Sequence, residues 1–177
     1  YIQNHITNTS NRRNSDVFHL NDIEPTRFDS KYWKKGDVFL SLRNLSMIIL
    51  YRPSTNKLIK VLHGPFFNQH DVDVLNDHEI SIFNNNYRDF GTLNSEIIKY
   101  NFKTGEFTTY FKNSMIENNV FTEFQGVHKI LPTGELFLES TTDGRILFFD
   151  NKGRLTWQFV NNENDKKELY ALGWSRI

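Results

Sequence analysis

Three clusters of hydrogen-bonding side chains interrupt an otherwise apolar strand pattern. They are His19, Asn21 and Asp22; Gln69, His70 and Asp71; and Gln125 with His128. Each opens a segment of the same kind. Arg43 and Asn44 end one apolar run, and Asn84, Asn85 and Asn86 end the matching run in the next unit. A neutral imidazole near pH 7 is a nucleophile or a proton carrier. Arginine presents a fixed, permanently charged fork of donors, and asparagine adds a neutral one. Such a set can hold an anion and attack it. Taken singly, each residue also has an ordinary structural explanation, so the grouping carries the weight.

The elements that would position these residues repeat. Gly36–Leu42, Met47–Tyr51 and Lys57–Leu62 recur as His78–Phe83, Glu96–Tyr100 and Glu106–Phe111, and again as Gly134–Leu138, Arg145–Phe149 and Arg154–Phe159. A further short apolar segment precedes each triplet: Phe18–Glu24, Asp71–Leu75 and Val127–Leu131. The segments are rich in β-branched and aromatic residues and are separated by Gly, Asn and Asp turns. Four strands per unit, at a period of roughly 50 residues, are expected of a propeller blade. The fold class is therefore all-β and β-propeller-like, with a β-sandwich as the other architecture. Blade-like units are expected at about 17–63, 69–112 and 124–160, within a domain spanning 17–177, after an irregular segment 1–16. Helical periodicity is confined to Lys166–Leu172.

Equivalent strand ends of a propeller converge on one mouth of its channel, which brings the polar clusters together. Three blades do not close a ring, since typical propellers have at least four. The chain is thus expected to be part of a longer one.

At these residues the sequence resembles the arylsulfotransferases, the arylsulfate sulfotransferase family. The resemblance rests on His19-x-Asn21-Asp22, a strand ending Ser41-x-Arg43, Gly64-Pro65 followed by Gln69-His70, and Phe83-Asn84-Asn85. It extends to a Leu131-Pro132-x-Gly134 turn, Gly144-Arg145-Ile146 and the strand with Trp157. It implies a six-bladed propeller, of which this chain holds about three blades. It implies His70 as the nucleophile that takes a sulfuryl group from an aryl sulfate and passes it to a phenolic acceptor, through a covalent sulfohistidine. It places His19, Asn21 and Arg43 around the sulfate; Asp22, Gln69, Asp71 and Asn84, beside these motifs, are expected as supporting residues. It implies no cofactor or metal, and a periplasmic or secreted setting. The chemistry is sound: two displacements divide one hard step, and sulfuryl transfer, like phosphoryl transfer, needs mainly positioning and charge stabilisation. His19 can donate to a sulfate oxygen or protonate the departing phenolate. The other reading is a non-catalytic propeller that binds a small anion, a glycan or a protein partner.

The remaining polar residues have plainer expectations. Asp22 and Asp71 should fix nearby backbone, with Asp71 also able to orient a histidine. His128 reads as structural or channel-lining, Arg145 as an exposed charge, and Phe148, Phe149 and Trp157 as core between blades. Lys plus Arg number 21 and so do Asp plus Glu, which leaves no basic field for nucleic acid. No apolar run approaches the roughly 20 residues of a membrane span. Without cysteine, disulfides and thiolate chemistry are excluded. The chain opens on Tyr1, and 1–16 lacks the charged-then-apolar order of a signal peptide.

Overall fold

The computed structural model describes residues 16–88, 91–92, 94–162, 170–173 and 175. Segment 1–15 and most of the Lys166–Leu172 helix expectation lie outside them; residues 170–172 carry no helix. Among the described residues fourteen strands form three antiparallel four-stranded sheets and one ribbon.

In the first sheet, β1 (Leu20–Pro25), β2 (Val38–Leu42), β3 (Met47–Arg52) and β4 (Lys57–Leu62) pair in chain order. The second sheet orders β5 (Val72–Val74), β6 (Glu79–Asn84), β9 (Glu96–Asn101) and β10 (Glu106–Tyr110). Between β6 and β9 it carries a two-stranded ribbon, β7 (Tyr87–Arg88) and β8 (Gly91–Thr92). The third sheet is β11 (Val127–Ile130), β12 (Leu136–Ser140), β13 (Arg145–Phe149) and β14 (Leu155–Val160). Each is a meander, which is how a propeller blade is built. One short α-helix among the described residues, α1 (Lys112–Glu117), bridges the second and third sheets and buries Met115. Among the described residues no helix is long and apolar enough to cross a membrane.

The core lies between sheets, not within a sandwich. Trp33, Phe39, Ile48 and Leu50 from the first unit meet Val72, Ile80, Ile82, Tyr100 and Phe102 from the second. Trp33, from the β1–β2 connection, is 1% exposed and sits edge-on to Phe39 at 5.6 Å and to Phe102 at 5.3 Å. Phe83, Ile97 and Met115 meet Val120, Leu136, Leu138, Leu147 and Phe149 in a second cluster. Burying side chains of this size contributes about 1.5–3 kcal/mol each, so the faces between blades dominate the stability. The tight turns also hold: Asp37, almost fully buried after Gly36, accepts two bonds of 2.7–2.8 Å from Arg52.

Two expectations need correction. Trp157 is not core: it stands 54% exposed on β14, the outer strand of its sheet, where no further strand covers it. Arg145 is not an exposed charge. Its guanidinium donates to the Asn118 and Asn119 carbonyls and to Asp143, clamping the turn after α1.

Candidate functional site

The innermost strands β1, β5 and β11 each begin at the same end of their sheets, and the loops entering them are stitched together. The Arg43 N–H donates to the His19 carbonyl (2.9 Å), and the Asn68 amide donates to the Arg43 carbonyl (3.3 Å). The Asn21 amide donates to the Gln69 carbonyl at 3.2 Å, beside His70. The segments bearing His19 and Asn21, Arg43, and His70 therefore share one corner. Three residues there hold left-handed backbone: His19 (φ 47°), Asn68 (φ 51°) and Gln125 (φ 62°). Asparagine and histidine are among the residues that adopt that conformation more often, whereas glutamine does so at a cost.

His70 is buried, and its backbone N–H is fixed by the Phe83 carbonyl at 2.9 Å. Its ring lines a narrow crevice with Gln125, Gly126 and Thr141. Burial pushes its pKa down to about 4; nearby Arg43 and His19 push the same way, against Asp71 and a bond to the Gly126 backbone. The ring is neutral at neutral pH. Arg43, itself buried, donates to the Asn44 side chain (3.3 Å) and lies 5.1 Å from the Phe124 ring centroid, a cation–π contact. His19 is exposed and held through Nδ1 by Asp16 at 2.7 Å.

The residues expected to support the site divide by role. Gln69 is fully buried and donates to the Ser41 hydroxyl and the Met47 carbonyl, pinning the β5 loop on the first sheet. Asn84, also fully buried, accepts from the Phe67 and Asn86 N–H groups (2.8 and 3.0 Å) and holds the loop that carries His70. Asn85 donates to the Thr122 and Gln125 carbonyls and so fixes the loop facing His70. The asparagine-rich strand end is thus a brace for both walls of the crevice.

Asp22 and Asp71 do bind backbone, but across sheets. Asp22 accepts from the Val72 N–H (3.0 Å), and Asp71 accepts from the His128 N–H (2.9 Å). Each carboxylate caps an otherwise open edge N–H of the next innermost strand. Asp71 also meets His128 Nδ1 at 2.6 Å, and His128 Nε2 meets the Ser81 hydroxyl at 2.7 Å. Sequence proximity hid this chain of contacts, because the partners of His128 lie 57 and 47 residues away.

Below the corner, β1, β5 and β11 enclose a cavity of about 470 Å³ lined by Glu24, Arg27, Asp71, Asp73, His128 and Lys129. Ligand atoms of Asp71, Asp73 and His128 lie within 4.8 Å of one another. Both ring nitrogens of His128 already face partners, and Lys129 occupies one Asp73 oxygen at 2.6 Å. The cluster is a hydrogen-bonded charge network that leaves no imidazole lone pair directed at a metal.

Crowded carboxylates in this cavity resist ionisation. Burial, then Asp71, pushes Asp22 up to about 6; burial, then Asp73, pushes Glu24 up to about 7. Both folded-state values exceed the unfolded ones. Their stabilising contribution is complete below pH about 4 and lost as pH rises through 6 and 7. Glu24→Gln should therefore flatten the decline in urea midpoint between pH 5 and 8, a shift readable by denaturation at each pH.

Against known proteins, this fold has clear counterparts. The chain superimposes on the WD40 β-propeller domain of Doa1 with a TM-score of 0.52 at 16% identity, over 79% of this chain and 40% of that one. Streptogramin B lyase gives a TM-score of 0.52 at 15% identity, over 84% and 42%. A protein of unknown function from Bacteroides caccae gives 0.52 at 14%, over 70% and 45%. These likenesses establish the β-propeller fold, and the chain spans about two fifths of the length of these structures. No curated protein sequence matches it significantly. The family model described as Arylsulfotransferase (ASST), however, matches residues 3–162, which takes in all three sheets and every residue of the corner. The chain belongs to the arylsulfotransferase family.

Proposed function

We propose that the protein moves a sulfuryl group from an aryl sulfate to a phenolic acceptor, with His70 as the nucleophile. The observation that carries this reading is a neutral, buried histidine at the corner where His19, Asn21 and Arg43 converge, in a chain of this family. The neutral His70 ring attacks sulfur, the bond between sulfur and the aryl-bearing oxygen breaks, and its electron pair leaves with that oxygen, giving a sulfohistidine and a phenolate. An acceptor phenol then attacks the same sulfur and regenerates the ring. Arg43 and Asn21 supply donors to the equatorial oxygens, and His19 protonates the departing phenolate and later takes the proton of the incoming phenol.

The complete protein should release about one equivalent of nitrophenolate per site from p-nitrophenyl sulfate alone and turn over continuously only when a phenol acceptor is present. Because the folded-state pKa of His70 is depressed to about 4, the nucleophile stays unprotonated above that value. The His70 limb of the kcat/KM profile should then be flat above pH about 5 and fall toward pH 4. A limb falling near pH 6.5, the ordinary imidazole value, would exclude the buried His70 as the reacting group.

A further inference from the structure

We infer that His128 is a positioning residue that acts through Asp71, holding this carboxylate toward the third sheet and offsetting its charge so that a sulfate-bearing anion can reach the neighbouring His70. The inference rests on the sulfuryl-transfer reading above. A carboxylate directly after the nucleophile is an obstacle for an enzyme of anions, and the structure shows how it is handled. Asp71 and His70 are consecutive residues just before β5, and their side chains line different spaces. Asp71 faces the cavity with Glu24 and Lys129, whereas His70 faces the crevice with Gln125 and Gly126.

His128 is 1% exposed, and its ring is gripped at both ends, by Asp71 Oδ2 at 2.6 Å and by Ser81 Oγ at 2.7 Å. An imidazolium donates from both nitrogens, and both partners here can accept. The surroundings favour that form: Asp71 holds the His128 pKa above its ordinary value despite complete burial, with Asp73 adding to it and Lys129 opposing. The same contact pulls Asp71 below the usual carboxylate range. The other charges facing the cavity are Glu24 and Arg27 from the first unit, with Asp22 beside Asp71 on β1. Ser81 has no exposed surface, so the Asp71–His128–Ser81 line is not a serine nucleophile with its base. Its effect falls on His70, on which Asp71 exerts the largest charge influence.

In the complete protein acting on p-nitrophenyl sulfate with a phenol acceptor, His128→Gln should raise KM about tenfold, with kcat changed less, as an uncompensated charge near the site would. Adding Asp71→Asn to that variant should bring KM back toward wild type, because the charge that needed offsetting is gone. A purely structural role predicts no such recovery. An unchanged KM in His128→Gln, or a double variant no better than the single, overturns the inference. A wild type that releases no nitrophenolate defeats the proposed function instead. In that event, and if His128→Gln does not fold, ¹⁵N shifts of the wild-type rings decide the matter: imidazolium at His128 at pH 7 supports the ion pair and a neutral ring there refutes it.

Discussion

His70→Ala should lower nitrophenolate release by at least about a thousandfold while leaving the far-ultraviolet circular dichroism of the sheets unchanged. The nucleophile is the one group that the two-displacement scheme cannot replace. In that scheme the neighbouring donors bind sulfate but form no bond to sulfur. The fold should survive, because the contribution of His70 to the second sheet is made by its backbone, through the N–H bonded to the Phe83 carbonyl. Truncation removes a ring that is 7% exposed, so a modest loss of stability is expected, well short of unfolding. A variant with residual turnover within tenfold of wild type would mean that another group attacks sulfur.

Gly126→Ala should be the most damaging small substitution near the site. Gly126 has φ +103°, and a Cβ there would stand 2.6 Å from Phe83 Cε1 and 2.7 Å from Cζ. Phe83 is fully buried in the cluster between the second and third sheets, so its ring has nowhere to retreat. The left-handed backbone costs about 1–2 kcal/mol for an L side chain, and overpacking a core costs about 1–3 more. A total of about 2–5 kcal/mol should lower Tm by roughly 4–20 °C in a chain of this size. Activity should fall as well, because Gly126 also shapes the His70 crevice through its backbone. Gly105→Ala separates the two costs: its φ is +75°, but a Cβ there meets nothing within 4 Å, so only the backbone penalty of about 1–2 kcal/mol is expected.

How much of this was legible in the sequence follows from the range of the forces involved. Strands of five or six residues such as Val38–Leu42, Arg145–Phe149 and Lys57–Leu62 were plain, because β-branched and aromatic runs between Gly and Asn turns are local signals. Elements shorter than one period were not. The ribbon Tyr87–Arg88 with Gly91–Thr92 has two residues per strand, and α1 is a six-residue segment with a single buried side chain. Trp157 misled because a large aromatic on an apolar strand is ordinarily buried, and only sheet order shows that β14 is an outer strand.

Within the candidate site, the cluster of polar types could be read and their division of labour could not. Gln69 and Asn84 share the motifs of His70, yet their amides are spent on Ser41, Met47, Phe67 and Asn86. Asp71 was expected to fix nearby backbone or orient a neighbouring histidine; the histidine it holds is His128 in the next sheet, not His70 beside it. Phe124, which packs its ring under Arg43, carried no motif at all. Contacts between sheets are set by the propeller's geometry, to which a single sequence gives only indirect access.

The central claim is that sulfur is carried on His70. The complete protein should be mixed with p-nitrophenyl sulfate without acceptor, quenched at alkaline pH to protect an acid-labile bond, digested and examined by mass spectrometry. A sulfuryl group on the peptide containing His70, lost on adding phenol and absent from His70→Ala, is the predicted result. A sulfuryl group on any other residue, or nitrophenolate released in acceptor-dependent turnover with no covalent intermediate, would contradict it.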